Sequence, residues 1–451
     1  MATTKIRKKD TGEQGNSGEF GTVSRSDADV EVRPAPPHGD PVIGEDTEID
    51  PTAELGEGAR IGDDVQIGRG ARVGPGAILC DGVRIADGAR VGKGSVLGED
   101  VEIGPDAVLG YDVSLGERTT IGGMAALEHG VQVGEDTGIG DSARIGRATT
   151  VGSHVEIGAN AVIDQDSTIE DEVRIDDHAV VRHSVTVGDN SSIGTRAEVE
   201  AGSVLGDGTT VGDRSRVHGT FGADTKIGDR SRILGGSTWG RGTRIGDKVQ
   251  VQTDHRSRID EASIDDDVRI ERTVIKGEIS IAEGAQLDGV SDEIVLDGPV
   301  YIGSGASLRG AIEIGPQVEL GEGAVLESDR PRMEARPITV GEGTVLYDRV
   351  KVRRGAQLGE KNLVGTGSEV GMRVTTGPST TIGDNATIGD DAIVNGAEVG
   401  DDTRVGHGAE LGHGASLGDG AVLEDNVIID QYARVEVEGY VARGEVVAAT
   451  A

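Results

Sequence analysis

The chain has 451 residues, a net charge of −36, 74 glycines and only 2% aromatic residues. So little aromatic bulk excludes a conventional large-side-chain core, and 12 prolines are too few for collagen. Cys80 is the single cysteine, which excludes an intrachain disulfide and fits a reducing, cytoplasmic interior. No apolar run approaches the roughly 20 residues that a membrane-spanning helix needs.

Residues 1–40 are rich in Gly, Ser and Asp with a PAPP run at 34–37, and predict a disordered leader. Its basic cluster (Lys5, Arg7, Lys8, Lys9) has no apolar segment behind it, so no secretory signal is expected. From Ile43 to Val217, every sixth residue is Ile, Leu or Val, and the next residue is usually Gly, as in IGDD, IGRG, VGPG and VGKG. The residue four after each aliphatic is small or β-branched, as in Val65, Ala71, Ala77 and Val83. A phase held this long marks an array of one structural unit whose inward residues are buried only by neighbouring coils. Those inward residues are expected to be the aliphatics and the small residue two before each. The glycine beside each corner is expected to supply backbone angles that a side chain would penalise.

Residues 41–251 read as regular hexads. Residues 252–339 keep the composition but lose the spacing, and an insertion at 327–339 (ESDRPRMEARP to the next strand) brings in Arg330, Arg332 and Arg336. Regular hexads return over 340–441, followed by a tail at 442–451. The phase also slips between Val217 and Phe221 and between Val394 and Val399. Loops on a rigid scaffold carry function, which draws attention to such breaks.

The aliphatic–Gly–x–x–small–x unit resembles the hexapeptide-repeat superfamily, over roughly residues 41–441. The resemblance implies an all-β fold, a single long parallel β-helix that is left-handed and triangular. Three hexads per coil make about 22 coils, and at about 4.8 Å per strand a rod of about 105 Å. Many relatives are acyltransferases that use a corner His as general base, and they are typically trimers packed side by side.

Residues 18 apart would stack on one face. One such row reads Arg60, Ile78, Val96, Ser114, Gln132, Thr150, Thr168, Thr186, Val204, and after Arg60 it holds no charge. The other rows mix charges, with Glu48, Arg84, Glu102, Glu156 and Arg174 on one and Glu54, Arg72, Arg90, Arg144 and Glu198 on the other. The uncharged row is the expected surface for self-association. A local reversal of charge is the second feature. Asp213–Arg258 holds ten basic residues against five acids. Arg216 is expected over Arg232 and Lys226 over Arg244. Like charges directly opposite are destabilising, so Asp229 and Asp247, an anionic ligand or another copy should compensate them.

Among the corner histidines (His129, His154, His178, His183, His407, His413), no three converge, and no metal site is expected. The expected function is a non-catalytic scaffold, a rigid acidic rod that self-associates or presents a long surface, with no cofactor. One alternative is an acyltransferase using acyl-coenzyme A, with His407 or His413 as base and the arginines of the insertion holding phosphates. A second is a DNA mimic. Spread along the rod, the charge amounts to about one per 3 Å, against one per about 1.7 Å in duplex DNA. Direct binding of nucleic acid is not expected, because phosphate would be repelled.

Overall fold

The computed structural model describes residues 5–7, 20–22, 39–252, 261–271, 273–276, 278–288, 294–328 and 337–449. Two compact units are present, Met1–Gly39 and Asp40–Ala451. In the first, Lys5–Arg7 pairs antiparallel with Phe20–Thr22. The remainder of the leader lies outside the described residues.

The second unit is a parallel β-solenoid of about 21 turns. Each hexad makes a two-residue strand such as Arg84–Ile85, whose first side chain faces out and whose second faces in. That strand pairs in parallel with the one 18 residues on, so Arg84 sits over Glu102 and Ile85 over Ile103. The backbone N–H of Gln66 donates to the Val83 carbonyl at 2.9 Å, and that of Gly68 to the Ile85 carbonyl at 2.7 Å. Repeated at each hexad, these bonds tie every coil to the next along three faces. The interior is then lined by the aliphatic of each hexad and the small residue two before it. Ala71 and Val83 are fully buried, and Ile85 and Ile103 are 2% exposed.

The glycine after each aliphatic has a different job from the one expected. Gly68 is not in the left-handed region. A Cβ there would lie 2.7 Å from the backbone nitrogen of Asp87 in the following coil, and one on Gly104 would lie 2.6 Å from that of Gly123. Coil-to-coil approach excludes the side chain. The left-handed residue comes two positions later, as Gly70 (φ 65°) or, at many corners, Asp64 (φ 55°) and Asp106 (φ 57°). Aspartate tolerates that conformation better than most residues with a Cβ.

Among the described residues, the breaks in phase keep the strands in columns. Between Val217 and Phe221, one strand, Arg216–Phe221, turns the corner without a separate turn. Above it, Arg232–Trp239 does the same. Phe221 and Trp239 stack inside with ring centroids 6.2 Å apart. The irregular stretch also remains in the coil: Arg244 is followed in one column by Ser263, Ser280, Tyr301, Glu319 and Val345. Across the insertion, Glu313 pairs with Thr339. Arg330, Arg332 and Arg336 lie outside the described residues.

Burying an aliphatic side chain is worth about 1.5–3 kcal/mol, and an unpaired buried carboxylate adds a larger penalty. Ile103→Asp should therefore lower stability by more than about 3 kcal/mol. The check is a large fall in the thermal midpoint followed by far-UV circular dichroism. A midpoint within 2 °C of the parent would contradict the inward placement of Ile103.

Candidate functional site

The uncharged row is a true column. Ile78, Val96, Ser114, Gln132, Thr150, Thr168, Thr186 and Val204 pair rung by rung in register. It also runs further than the 18-residue spacing suggested, since Val204 pairs with Thr220 and Thr220 with Thr238. Residues 253–260 are not described; beyond them Thr273–Lys276 takes the third place in its coil, after Glu261–Ile264 and Arg269–Glu271, and no described pairing links it to Thr238. From there the column continues through Val295, Glu313, Thr339, Gln357, Thr375, Ile393, Glu410, Ile428 and Val446. Among its described outward side chains from Val42 onward, the only charges are Arg60, Glu313 and Glu410. Its members are half-buried or exposed, with Val96 at 38% and Ile393 at 43%. In a chain so rich in charge, this face is distinct from its two neighbours.

The acidic corners have a structural task that the sequence did not disclose. The backbone N–H of Asp63 donates to the carboxylate of Asp81, one coil on, at 2.8 Å. Arg69 to Asp87, Ala159 to Asp177, Thr366 to Asp384 and Asp401 to Asp419 repeat that bond. Each carboxylate satisfies a corner N–H that the strand ladders leave free. Asp229 and Asp247 belong to the same series, accepting from Asp213 at 2.9 Å and Asp229 at 2.8 Å. They make no ion pair with Lys226 or Arg244 among the described residues, so that expected compensation is corrected.

The basic stretch stacks as expected, Arg216 over Arg232 and Lys226 over Arg244. Arg216 is neutralised by Glu198 at 3.5 Å and by Glu200. Arg232, Lys226 and Arg244 form no ion pair among the described residues, and all three are exposed.

The histidines stand apart. His407 Nδ1 lies 3.6 Å from Asp391, whose carboxylate is held at 2.6 Å by Arg373, and its side chain is 56% exposed. His413, one corner on, meets the edge of Tyr432 at 6.0 Å. His154 lies 3.6 Å from Asp136 beside Arg118. His129 stacks on Tyr111 at 4.6 Å while its Nδ1 accepts the Tyr111 N–H. A group of carboxylates, Glu170, Asp189 and Asp207, also lies close together.

Hydrogen bonds from arginines and backbone hold several surface carboxylates below the ordinary Asp value of 3.8. For Asp87 the cause is the side chain and then the N–H of Arg69; for Asp136 it is Arg118, and for Asp391 it is Arg373. Their stabilising effect is full above the ordinary value and disappears as pH falls through the lowered folded values. Protonation would also relieve the repulsion of a −36 rod, an effect of opposite sign. Because these carboxylates hold coil to coil, the thermal midpoint should fall as pH drops below about 4. A rising midpoint there would mean that repulsion outweighs the corner bonds.

Comparison with known proteins identifies the repeat. Residues 40–74, 58–98 and 379–413 match the family described as bacterial transferase hexapeptide (six repeats). Residues 398–431 match the hexapeptide repeat of succinyl-transferase, and residues 127–222 match the GMPPB C-terminal domain. None of the curated proteins matches the sequence. Among solved structures, a UDP-N-acetylglucosamine acyltransferase from Campylobacter jejuni is 24% identical, with TM-score 0.24, over 34% of this chain and 66% of its own. PerB from Caulobacter crescentus, solved with CoA and GDP-perosamine, is 28% identical with TM-score 0.14, over 24% and 52%. A putative acetyltransferase from Desulfovibrio desulfuricans is 13% identical with TM-score 0.23, over 72% and 67%. The chain thus spans about half to two thirds of the length of the first two. Among the described residues, no helix is long and apolar enough to cross a membrane.

Proposed function

The chain belongs to the hexapeptide-repeat left-handed β-helix superfamily, and on that footing we propose that it is a non-catalytic structural rod that associates with a second copy of itself. The observation that carries this reading is the column from Ile78 to Thr238 and onward to Val446, nearly free of charge between two charged faces. Two rods of net charge −36 repel wherever acidic faces meet. Contact along this column brings few like charges together, so charge itself selects the partner surface and favours a copy with the same column. Its threonines, valines and isoleucines offer flat, β-branched surface for packing.

Size decides how much of the column is needed. The ten rungs from Ile78 to Thr238 are separated by nine spacings of about 4.8 Å, and with a face about 10 Å wide they give roughly 430 Å² per copy and roughly 860 Å² in all. That falls below the roughly 1,200–2,000 Å² of a stable interface. A contact along all of the turns, about 100 Å, reaches roughly 2,000 Å². The proposed association therefore uses both halves of the rod.

Thr150→Lys with Thr168→Lys, and separately Thr375→Lys with Ile393→Lys, should each shift the particle toward monomer without altering circular dichroism. Light scattering reads the mass. A monomeric parent, or unchanged mass in both variants, would remove the proposal.

The second reading is transferase activity, favoured by the His407–Asp391–Arg373 group, in which a carboxylate stands beside a possible general base. His407 is more than half exposed, and a corner this open does not exclude water from a reacting group. Incubation with acetyl-coenzyme A and a panel of amino sugars should release no thiol. Turnover that disappears in His407→Ala or His413→Ala would overturn the non-catalytic reading.

A further inference from the structure

The second face carries a feature that self-association does not use. One stretch of its outward column reads Thr210, Lys226, Arg244, Ser263, Ser280 and Tyr301, with Glu319 as the next rung. For six successive rungs, no carboxylate stands in this column, and every side chain offers a hydrogen-bond donor. Lys226, Arg244, Ser263 and Ser280 are exposed, and Tyr301 is 47% exposed. Arg244, Ser263, Ser280, Tyr301 and Glu319 line one open groove of about 620 Å³, to which Arg241 also contributes, and Lys226 stands one rung beyond that lining. Arg241 is already paired with Asp224 at 3.0 Å.

Lys226 and Arg244 lie directly over one another about 4.8 Å apart, a repulsive arrangement with no ion pair among the described residues. The neighbouring acids Asp229 and Asp247 each have an oxygen occupied by a corner N–H. An anion bridging the two cations would remove the repulsion. One that extends along the groove would also accept from the serine and tyrosine hydroxyls. We propose that this column is a binding groove for a linear oligophosphate, lying along the rod with its charge centred on Lys226 and Arg244. The charge is diffuse and repeated, so it matches a ladder of donors at regular spacing better than a single compact anion does. The guanidinium of Arg244 suits phosphate oxygens in particular.

The test is calorimetric titration of the full chain with tripolyphosphate at low salt, beside inorganic phosphate and ATP. Saturable binding of tripolyphosphate is expected, at least tenfold tighter than inorganic phosphate, with a rise in thermal midpoint. ATP binding as tightly would place the phosphates on a nucleotide, and weaker ATP binding would indicate a bare phosphate chain; both support the groove. Lys226→Ala with Arg244→Ala should weaken binding at least tenfold while leaving the ligand-free midpoint unchanged or higher, since a repulsive pair is removed. Arg232→Ala is the control, an exposed cation also without an ion pair among the described residues but on another face, and it should change affinity less than twofold. No saturation, or an equal loss in Arg232→Ala, would overturn the assignment. Because the uncharged column is not touched, mass in solution should not change in these variants.

Discussion

The close approach of successive coils is the constraint on which the rest of the structure depends. Strands stacked about 4.8 Å apart satisfy one another's backbone groups along the faces, but at the corners the chain turns and the ladder is interrupted. Two features resolve the corner. A residue without a side chain lets the next coil's backbone pass, as at Gly68 and Gly104. A carboxylate from the coil above then accepts the exposed N–H, as Asp81 does for Asp63. Positive φ two residues after the glycine completes the turn, and aspartate serves there as well at Asp64 and Asp106.

This arrangement gives the negative charge a cause inside the fold. Imitation of DNA treats the acids as surface decoration. The corner bonds make many of them part of the backbone hydrogen-bonding scheme. Charge concentrated at corners leaves the flat faces free to differ from one another. One face is almost uncharged along its length, whereas another carries two stacked cations within a run of hydroxyls. A rod assembled from identical units thereby acquires distinct sides, each set by one outward residue per hexad.

Much of this was legible in the residues. The six-residue phase located the buried aliphatics, and the stacking of Arg216 on Arg232 and Lys226 on Arg244 followed from resuming that phase at Phe221. The corner role of Asp229 and Asp247 was not legible. Their partners are backbone atoms a coil away, and sequence spacing says nothing about which N–H a corner leaves free. The extension of the uncharged column was hidden for another reason. Coil length varies between Arg244 and Val345, so counting in eighteens loses the face although the strands keep it. His407 and His413, one hexad apart, stand at separate corners, each with its own neighbours.

The sequence by itself determined that the chain is one repeated parallel unit, which side chains turn inward, and that residues 18 apart share a face where the hexads are regular. It could do so because inward and outward positions alternate within a strand and every strand repeats the same period. Only the tertiary structure decided why glycine follows the aliphatic, what the acidic corners hold, and how far each face continues through the irregular coils. Those properties arise between coils, from atoms brought together by stacking, and a backbone N–H seeking a partner leaves no mark in the local pattern of residues.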